Sequence, residues 1–403
     1  MAESPYAWFR LLASLALSTL GGVGMWSVVV VLPAVQADFG VARADASLPY
    51  TLAMVGFVFG GPLMGWLADR FGIIPPVVGG TLALALGFVL ASRADTILEF
   101  ALIHGVLIGF LGSSATFGPV IASISLWFDR RRGIAMAIGA SGAYLAGTVW
   151  PLAIQHVTDG YGWRTAYLAI GLFCLVTMLP LVLALRRPPP PARAGVVSPG
   201  GFTGDPRPLG MAPNTLQGLL IFAGIACCVA MAMPQVHIVA LCADLGYGAQ
   251  RGAEMLSLML GFGIVSRLAS GWIADRIGPL PTLLLGSVLQ AVSLLLYTTS
   301  ESLTSLYVIS ALFGLFQGGI VLSYTLIVRQ FFPAAEAGTR IGLVLSATLG
   351  GMAIGGWMSG AIYDLTLSYD AAFLNGFAWN LLNVAVALFL LMRYRPPRRL
   401  AAA

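Results

Sequence analysis

The chain has 403 residues, of which 58% are hydrophobic and only 9% are charged, with a formal net charge of +5. Soluble domains carry about 25% charged residues, so this composition excludes an ordinary soluble globular protein and indicates that lipid solvates most of the surface. Because a membrane-spanning helix needs about 20 apolar residues, the length suits twelve spans and leaves little room for a further soluble domain.

Apolar runs, taken in chain order, predict twelve membrane-spanning helices. Six of these runs precede residue 186 and six follow residue 213. The predicted spans lie at 9–34, 46–68, 76–93, 98–126, 133–157, 165–185, 215–241, 252–273, 280–299, 303–328, 339–362 and 371–392.

Prolines, glycines and arginines interrupt the apolar pattern between residues 186 and 213, which predicts a solvated linker. The predicted fold is an all-α membrane protein of two pseudo-symmetric six-helix bundles. The first bundle comprises residues 1–185 and the second comprises residues 214–403, including a short basic tail.

The arginines predict the orientation of the spans. All 21 basic residues are arginines, and with the N-terminus in the cytoplasm sixteen of them fall in cytoplasmic segments and four in outer loops. Cytoplasmic loops are enriched in basic residues, so we expect a multi-pass protein of the bacterial inner membrane with both termini in the cytoplasm. The arginines follow the ends of the spans rather than a soluble surface, and no nucleic-acid partner is expected.

The two halves of the chain repeat one motif. GWLADRFG begins at Gly65 after span 2, and GWIADRIG begins at Gly271 after span 8, an offset of 206 residues. Glycines at these positions allow a neighbouring helix to approach closely. Two six-span halves of parallel topology predict a substrate path between them near the middle of the membrane.

This repeated string, with a long loop between spans 6 and 7, resembles the signature loop of the major facilitator superfamily. The resemblance implies twelve helices and transport by alternating access. It also implies that the two loops latch the cytoplasmic side, through the gating residues Gly65, Asp69, Arg70, Gly271, Asp275 and Arg276. The alternative is that Asp69 and Asp275 only satisfy local backbone groups.

Three further features are similar to bacterial members of the monocarboxylate-porter and oxalate:formate-antiporter group. They are WFDRRRGIA at 127–135, MPQVHIV at 233–239 followed by DLG at 244–246, and Arg267 eight residues before Asp275. In that group the arginine at this place binds the substrate carboxylate. Gly263 stands where proton-coupled animal members carry an aspartate, and the chain has no lysine, so protons and a counter-anion both stay open as coupling partners.

Arg267 is the one arginine predicted inside a span. A charged side chain there costs at least about 2.5–3.5 kcal/mol, and arginine does not escape this cost by deprotonating. It must therefore face a wet cavity or bind an anion, and its planar guanidinium matches a carboxylate in two-bond geometry. The alternative is that the side chain reaches toward the membrane surface, about 12 Å away at 1.5 Å per residue.

Other polar or aromatic residues are candidate walls of the substrate path, because spans 1, 4, 7 and 10 line the cavity in the resembled fold. His237 follows Pro234, and a titrating imidazole there could carry a coupling proton. Packing and hydrogen bonds within the bundle are the alternative for every member of this set. The candidates are His237 in span 7, Ser114 and Phe117 in span 4, and Gln317 and Tyr324 in span 10.

The function predicted from these features is secondary active transport, by symport or antiport, of a small monocarboxylate anchored by Arg267. Rival hypotheses are an exporter of amphipathic or drug-like compounds and, more remotely, a non-transporting membrane sensor on a carrier scaffold. The motifs of ATPases and metalloproteases are absent, so neither an enzymatic activity nor a cofactor or metal is expected.

Overall fold

A computed structural model of the chain describes residues 4–124, 126–128, 131–187, 208–299 and 301–394, without the side chains of 132, 133, 208, 334 and 335. Twelve helices in these ranges are long and apolar enough to cross a membrane. Spans 1–6 are Pro5–Phe39, Arg43–Phe71, Ile74–Ala91, Ile97–Ile124, Ile134–Tyr161 and Trp163–Leu183, and spans 7–12 are Pro213–Asp244, Ala249–Ile277, Pro279–Tyr297, Leu303–Phe331, Glu336–Thr366 and Tyr369–Arg393. The expected all-α fold of twelve spans is confirmed.

Several spans are interrupted near their middle. Span 1 breaks at Gly22, between helices Pro5–Gly21 and Val23–Phe39, and span 10 breaks at Gly318 and Gly319. Span 4 contains a π-helical stretch at His104–Ser113. Such irregular backbone is tolerated at membrane depth where it is buried in protein or lines a cavity.

Successive spans run in opposite directions, so the start of span 1 and the end of span 12 lie on the same face of the bundle. The start of span 1, the end of span 6, the start of span 7 and the end of span 12 share what we call the linker face. The opposite face, called the far face, holds the start of span 2 and the end of span 11. Most of the predicted linker at 186–213 lies outside the described residues.

The two halves pack tightly at the far face. Span 2 of the first half lies along span 11 of the second half. A Cβ atom added at Gly360 would lie 2.9 Å from the Arg43 carbonyl oxygen, and one at Gly356 would lie 3.0 Å from the Tyr50 ring. Glycine is therefore required at Gly360, because no side chain fits against the backbone of span 2.

The same two helices diverge toward the linker face. Added Cβ atoms at Gly65 of span 2 and at Gly342 and Gly350 of span 11 would meet nothing within 4 Å. Phe59, at mid-helix in span 2, is 67% exposed. The molecule is therefore closed at the far face and open at the linker face.

Arg10 fastens span 6 to the linker face of the first half. Its guanidinium donates to the carbonyl oxygens of Leu185 at 2.7 Å and Arg187 at 3.4 Å, and to Ser123 Oγ of span 4 at 2.7 Å. Carbonyls at the end of a helix have no partner within the helix, so this buried arginine satisfies groups that would otherwise be unpaired. Arg10 thereby ties spans 1, 4 and 6 together at the linker face.

Candidate substrate site and far-face gate

Arg267 lies half-buried in span 8, where the second half meets span 5 of the first. Its guanidinium carbon is 4.6 Å from the centre of the Tyr144 ring. Its Nε atom is buried and makes no hydrogen bond, and the described residues provide no carboxylate partner for it. A guanidinium with one face on an aromatic ring keeps its N–H edges available for a planar anion.

Tyr144 occupies the space that a side chain at position 263 would need. A Cβ added to Gly263 would lie 2.4 Å from Cε1 of the Tyr144 ring. Span 1 closes the same region, because Trp26 Nε1 donates to the Ala143 carbonyl oxygen at 3.3 Å. Spans 1 and 5 of the first half thus meet span 8 of the second half around the guanidinium.

The other predicted wall residues lie apart from this site. The Ser114 hydroxyl donates to the Phe110 carbonyl oxygen of its own span at 2.5 Å, and the Tyr324 hydroxyl donates to Asn383 Oδ1 of span 12 at 2.7 Å. Gln317 is fully buried with both amide atoms unpaired, while the half-buried Phe117 packs against Phe57, with ring centres 5.9 Å apart. No described contact joins any of these four to Arg267, and their substrate-binding role stays a prediction.

A second cluster closes the far face. Arg43, at the start of span 2, is buried and makes a two-bond ion pair with Asp244, at the end of span 7, with both N–O distances 3.1 Å. The same guanidinium donates to the Tyr369 hydroxyl of span 12 and lies 4.6 Å from the centre of the Tyr363 ring. We call Arg43, Asp244, Asp364, Tyr369 and His237 the far-face gate.

Asp364 binds the first turn of span 2 from span 11. Its two carboxylate oxygens accept hydrogen bonds from the backbone N–H groups of Arg43 at 2.8 Å and Ala44 at 2.7 Å. The start of a helix has unpaired N–H groups and a partial positive charge, so a carboxylate is well placed there. The gate thus joins span 2 to three spans of the other half.

His237 belongs to this gate in the structure rather than to the surroundings of Arg267. Its ring is fully buried, its Nε2 lies 2.8 Å from the Gly356 carbonyl oxygen of span 11, and its Nδ1 lies 3.4 Å from the Tyr369 hydroxyl. No described contact joins His237 to Arg267. Its predicted role in binding substrate stays untested, and the geometry shows a role in joining spans 7, 11 and 12.

The four charged residues of the predicted latch lie exposed at the linker face, and Gly65 and Gly271 are half-buried there. Asp69 and Asp275 make no hydrogen bond or ion pair within the described residues. The guanidinium of Arg70 stacks on Trp66 at 5.4 Å, and that of Arg276 stacks on Trp272 at 3.6 Å. A Cβ at Gly271 would meet only Leu322, at 3.9 Å, and Gly65 is equally open. Within the described residues, the last turns of spans 2 and 8, which bear Asp69 and Asp275, therefore hold no carboxylate partner from the opposite half in this state.

Sequence reasoning missed the gate and the aromatic partner of Arg267. It counted Arg43 as an outer-loop residue and gave no role to Asp244, Asp364 or Tyr369, although each acid ends a span and Tyr369 starts one. No sequence motif marked Tyr144 as a candidate functional residue. The glycine at 263, four residues before the arginine, was the one available hint that a neighbour fills that place.

The chain matches the model of the Major Facilitator Superfamily in two segments, residues 14–266 and 218–403. It belongs to this superfamily. The fold agrees, because a bacterial homologue of the human lysosomal transporter Spinster, solved in an inward-facing and occupied conformation, superposes with a TM-score of 0.76 at 15% identity and 97% coverage of both chains. The expected transporter class is therefore confirmed.

Two relatives of the chain carry names that refer to different cargo. Monocarboxylate transporter 13 of Bos taurus is 32% identical over 82% of this chain and 77% of its own length. The Fujikurins efflux protein of Gibberella fujikuroi is 28% identical over 72% of this chain and 61% of its own length.

Proposed function

We propose that this transporter carries a small monocarboxylate by alternating access, with Arg267 as its anchor. The observation that carries the proposal is the Arg267 guanidinium, which lies between the halves on the Tyr144 ring and has no carboxylate partner in the part of the chain that the structure describes. A cation inside a span costs at least about 2.5–3.5 kcal/mol unless water or an anion meets it. A substrate carboxylate supplies that anion, and charged hydrogen bonds contribute about 1.5–3 kcal/mol each.

A single cation among mostly apolar walls favours one carboxylate over two. Span 11 carries no arginine between Ile341 and Ile362, so that stretch offers no second cationic anchor for a dicarboxylate. The similarity to a protein named as a monocarboxylate transporter supports the same substrate class. Either protons or a counter-anion would balance the transported charge.

We infer further that the linker face is cytoplasmic, because the arginines concentrate there. In this orientation the structure is open to the cytoplasm and closed to the outside. Labelling of a cysteine at Ser198, in the linker, by an impermeant reagent added to intact cells would contradict this orientation. The four native cysteines are buried and free, so they add little background.

Export of amphipathic compounds is the second candidate function. The similarity to a fungal efflux protein and the aromatic pair Phe57 and Phe117 favour it. Such cargo would bind by apolar contact and would need no cation.

Uptake into proteoliposomes distinguishes the two candidates. Purified protein is reconstituted and offered labelled monocarboxylates, dicarboxylates and a lipophilic cation, with and without a pH gradient. The proposal expects saturable uptake of at least one monocarboxylate, inhibited by other monocarboxylates and not by the cation. Transport of the lipophilic cation alone would refute the carboxylate assignment.

A further inference from the structure

The far-face gate contains a chain of hydrogen bonds whose direction the geometry fixes. His237 Nε2 lies 2.8 Å from a carbonyl oxygen, which only accepts, so this nitrogen carries a proton. Arg43 donates to the Tyr369 oxygen, because a guanidinium has no acceptor. The Tyr369 hydroxyl therefore has its own proton to donate, and His237 Nδ1, at 3.4 Å, is the acceptor it faces.

This arrangement is complete only when His237 is neutral. A proton on Nδ1 would turn that atom into a donor, so the Tyr369 oxygen would receive two donors and its own proton would lose its acceptor. The positively charged imidazole and the Arg43 guanidinium would then both donate to the Tyr369 oxygen. His237 and Arg43 are both buried, so water would not screen these two like charges. An unpaired buried donor costs about 1–3 kcal/mol.

The carboxylates of the gate are already engaged elsewhere. Both oxygens of Asp244 pair with Arg43, and both oxygens of Asp364 accept backbone N–H groups of span 2. Neither makes a hydrogen bond to His237, so neither directly compensates a proton on Nδ1.

The other ionisable groups at this end of the bundle are paired with one another or exposed, and the Tyr50 hydroxyl of span 2 is buried without a hydrogen bond among the described residues. Span 7 packs against spans 1, 8, 10, 11 and 12. Three far-face groups on these spans are paired: Asp38 of span 1 with Arg164, Arg251 of span 8 with Glu254, and Tyr307 of span 10 with Glu254. Tyr363 of span 11 is stacked on Arg43. Asp370 of span 12 and Asp45 of span 2 are exposed.

We propose that His237 is a proton-binding site of the far-face gate, and that the gate closes only over the neutral imidazole. Opening the far face separates span 2 from spans 7, 11 and 12, which breaks the hydrogen bond from Arg43 to Tyr369 and lets water reach the His237 ring. A proton from the far side then binds and keeps the gate open until it leaves. The inference rests on the proposed alternating-access cycle and adds to it a dependence of the gate on far-side pH.

Spin-label distances across the gate test this proposal. Cysteines at Ala42 and Leu365, both exposed on opposite sides of the gate, carry the labels, and distances are recorded without substrate from about pH 8 to about pH 5, the range in which histidine titrates. We expect the long-distance, open population to grow as the pH falls. One proton changes the open-to-closed ratio by at most about tenfold per pH unit.

His237→Gln is the matched variant. Its amide can donate to the Gly356 carbonyl oxygen and accept from Tyr369, yet it does not titrate in this range. We expect a closed gate at every pH in His237→Gln, and a weaker pH response in Tyr369→Phe. An unchanged pH response in His237→Gln, or a wild-type gate that closes in acid, would overturn the proposal. Because substrate is absent, failure here leaves the carboxylate assignment standing.

Discussion

At the scale of single residues, the sequence alone identifies Arg267 as a candidate site residue but does not identify the residues of the far-face gate. An arginine among apolar residues in a span is conspicuous because burial of its charge is costly. Arg43 and Asp244 look like ordinary loop charges, because nothing local shows that residues 201 positions apart form an ion pair. Tyr144 is likewise not marked by the sequence, because its importance lies in its contact with Arg267 of another helix.

Replacing Arg267 tests the anchor directly. Arg267→Lys keeps the charge but loses the planar two-bond fork, so we expect weakened binding; Arg267→Ala removes the anion partner altogether. Loss of even one charged hydrogen bond, about 1.5–3 kcal/mol, lowers affinity by at least about tenfold. Substrate binding is measured in detergent, with size-exclusion chromatography as the check of folding.

Arg251→Lys is the matched control, because this arginine starts the same span but is exposed and paired with Glu254. Its affinity should equal that of the wild type. If Arg267→Ala binds a monocarboxylate as tightly as the wild type, the anchor assignment is wrong and export of amphipathic compounds becomes the better candidate.

At the scale of helices, the apolar runs locate every span but shorten several of them at one or both ends. Span 2 was predicted at 46–68 and extends over Arg43–Phe71, and span 11 was predicted at 339–362 and extends over Glu336–Thr366. Hydropathy identifies only the apolar part of a helix, which packs against lipid or against the protein core. These short extensions contain Arg43 and Asp364 of the gate, and both have partners on other spans.

The close contact between spans 2 and 11 predicts the effect of enlarging one glycine. In Gly360→Val, the new Cβ would overlap the Arg43 carbonyl oxygen 2.9 Å away, so the far face should be held open. Gly350→Val, on the same helix, meets open space and is the control for helix propensity.

Reactivity of a cysteine at Thr51 with an impermeant thiol reagent reports this opening, since its hydroxyl donates to the Ala353 carbonyl oxygen across the closed interface. We expect faster modification in Gly360→Val than in Gly350→Val. Equal rates in the two variants would show that this contact does not control closure.

At the scale of the whole molecule, a motif repeated at an offset of 206 residues predicts two similar halves, and six of the twelve spans precede residue 186 while six follow residue 212. Which face is closed was not predictable, because both states keep the same apolar pattern and differ only in contacts between the halves. The structure shows one state, in which the far-face gate is engaged and the Asp69 and Asp275 carboxylates have no partner among the described residues.

This asymmetry predicts what the Asp69 carboxylate does. It is exposed and unpaired among the described residues while the linker face is open, so it has no contact to lose in this state. If it latches the linker face when the far face opens, Asp69→Asn should destabilise only that second state. We therefore expect Asp69→Asn to slow turnover, and to reduce the far-face-open population, while changing substrate affinity in the linker-face-open state by less than about twofold, under 0.5 kcal/mol.

Asp95→Asn is the control, because it removes an equal charge from an exposed site on the far face. Transport rates in proteoliposomes and the gate distances between labels at Ala42 and Leu365 give the two readouts. A large loss of affinity with unchanged turnover would place Asp69 in substrate binding instead, and equal slowing by Asp95→Asn would reduce the effect to surface charge.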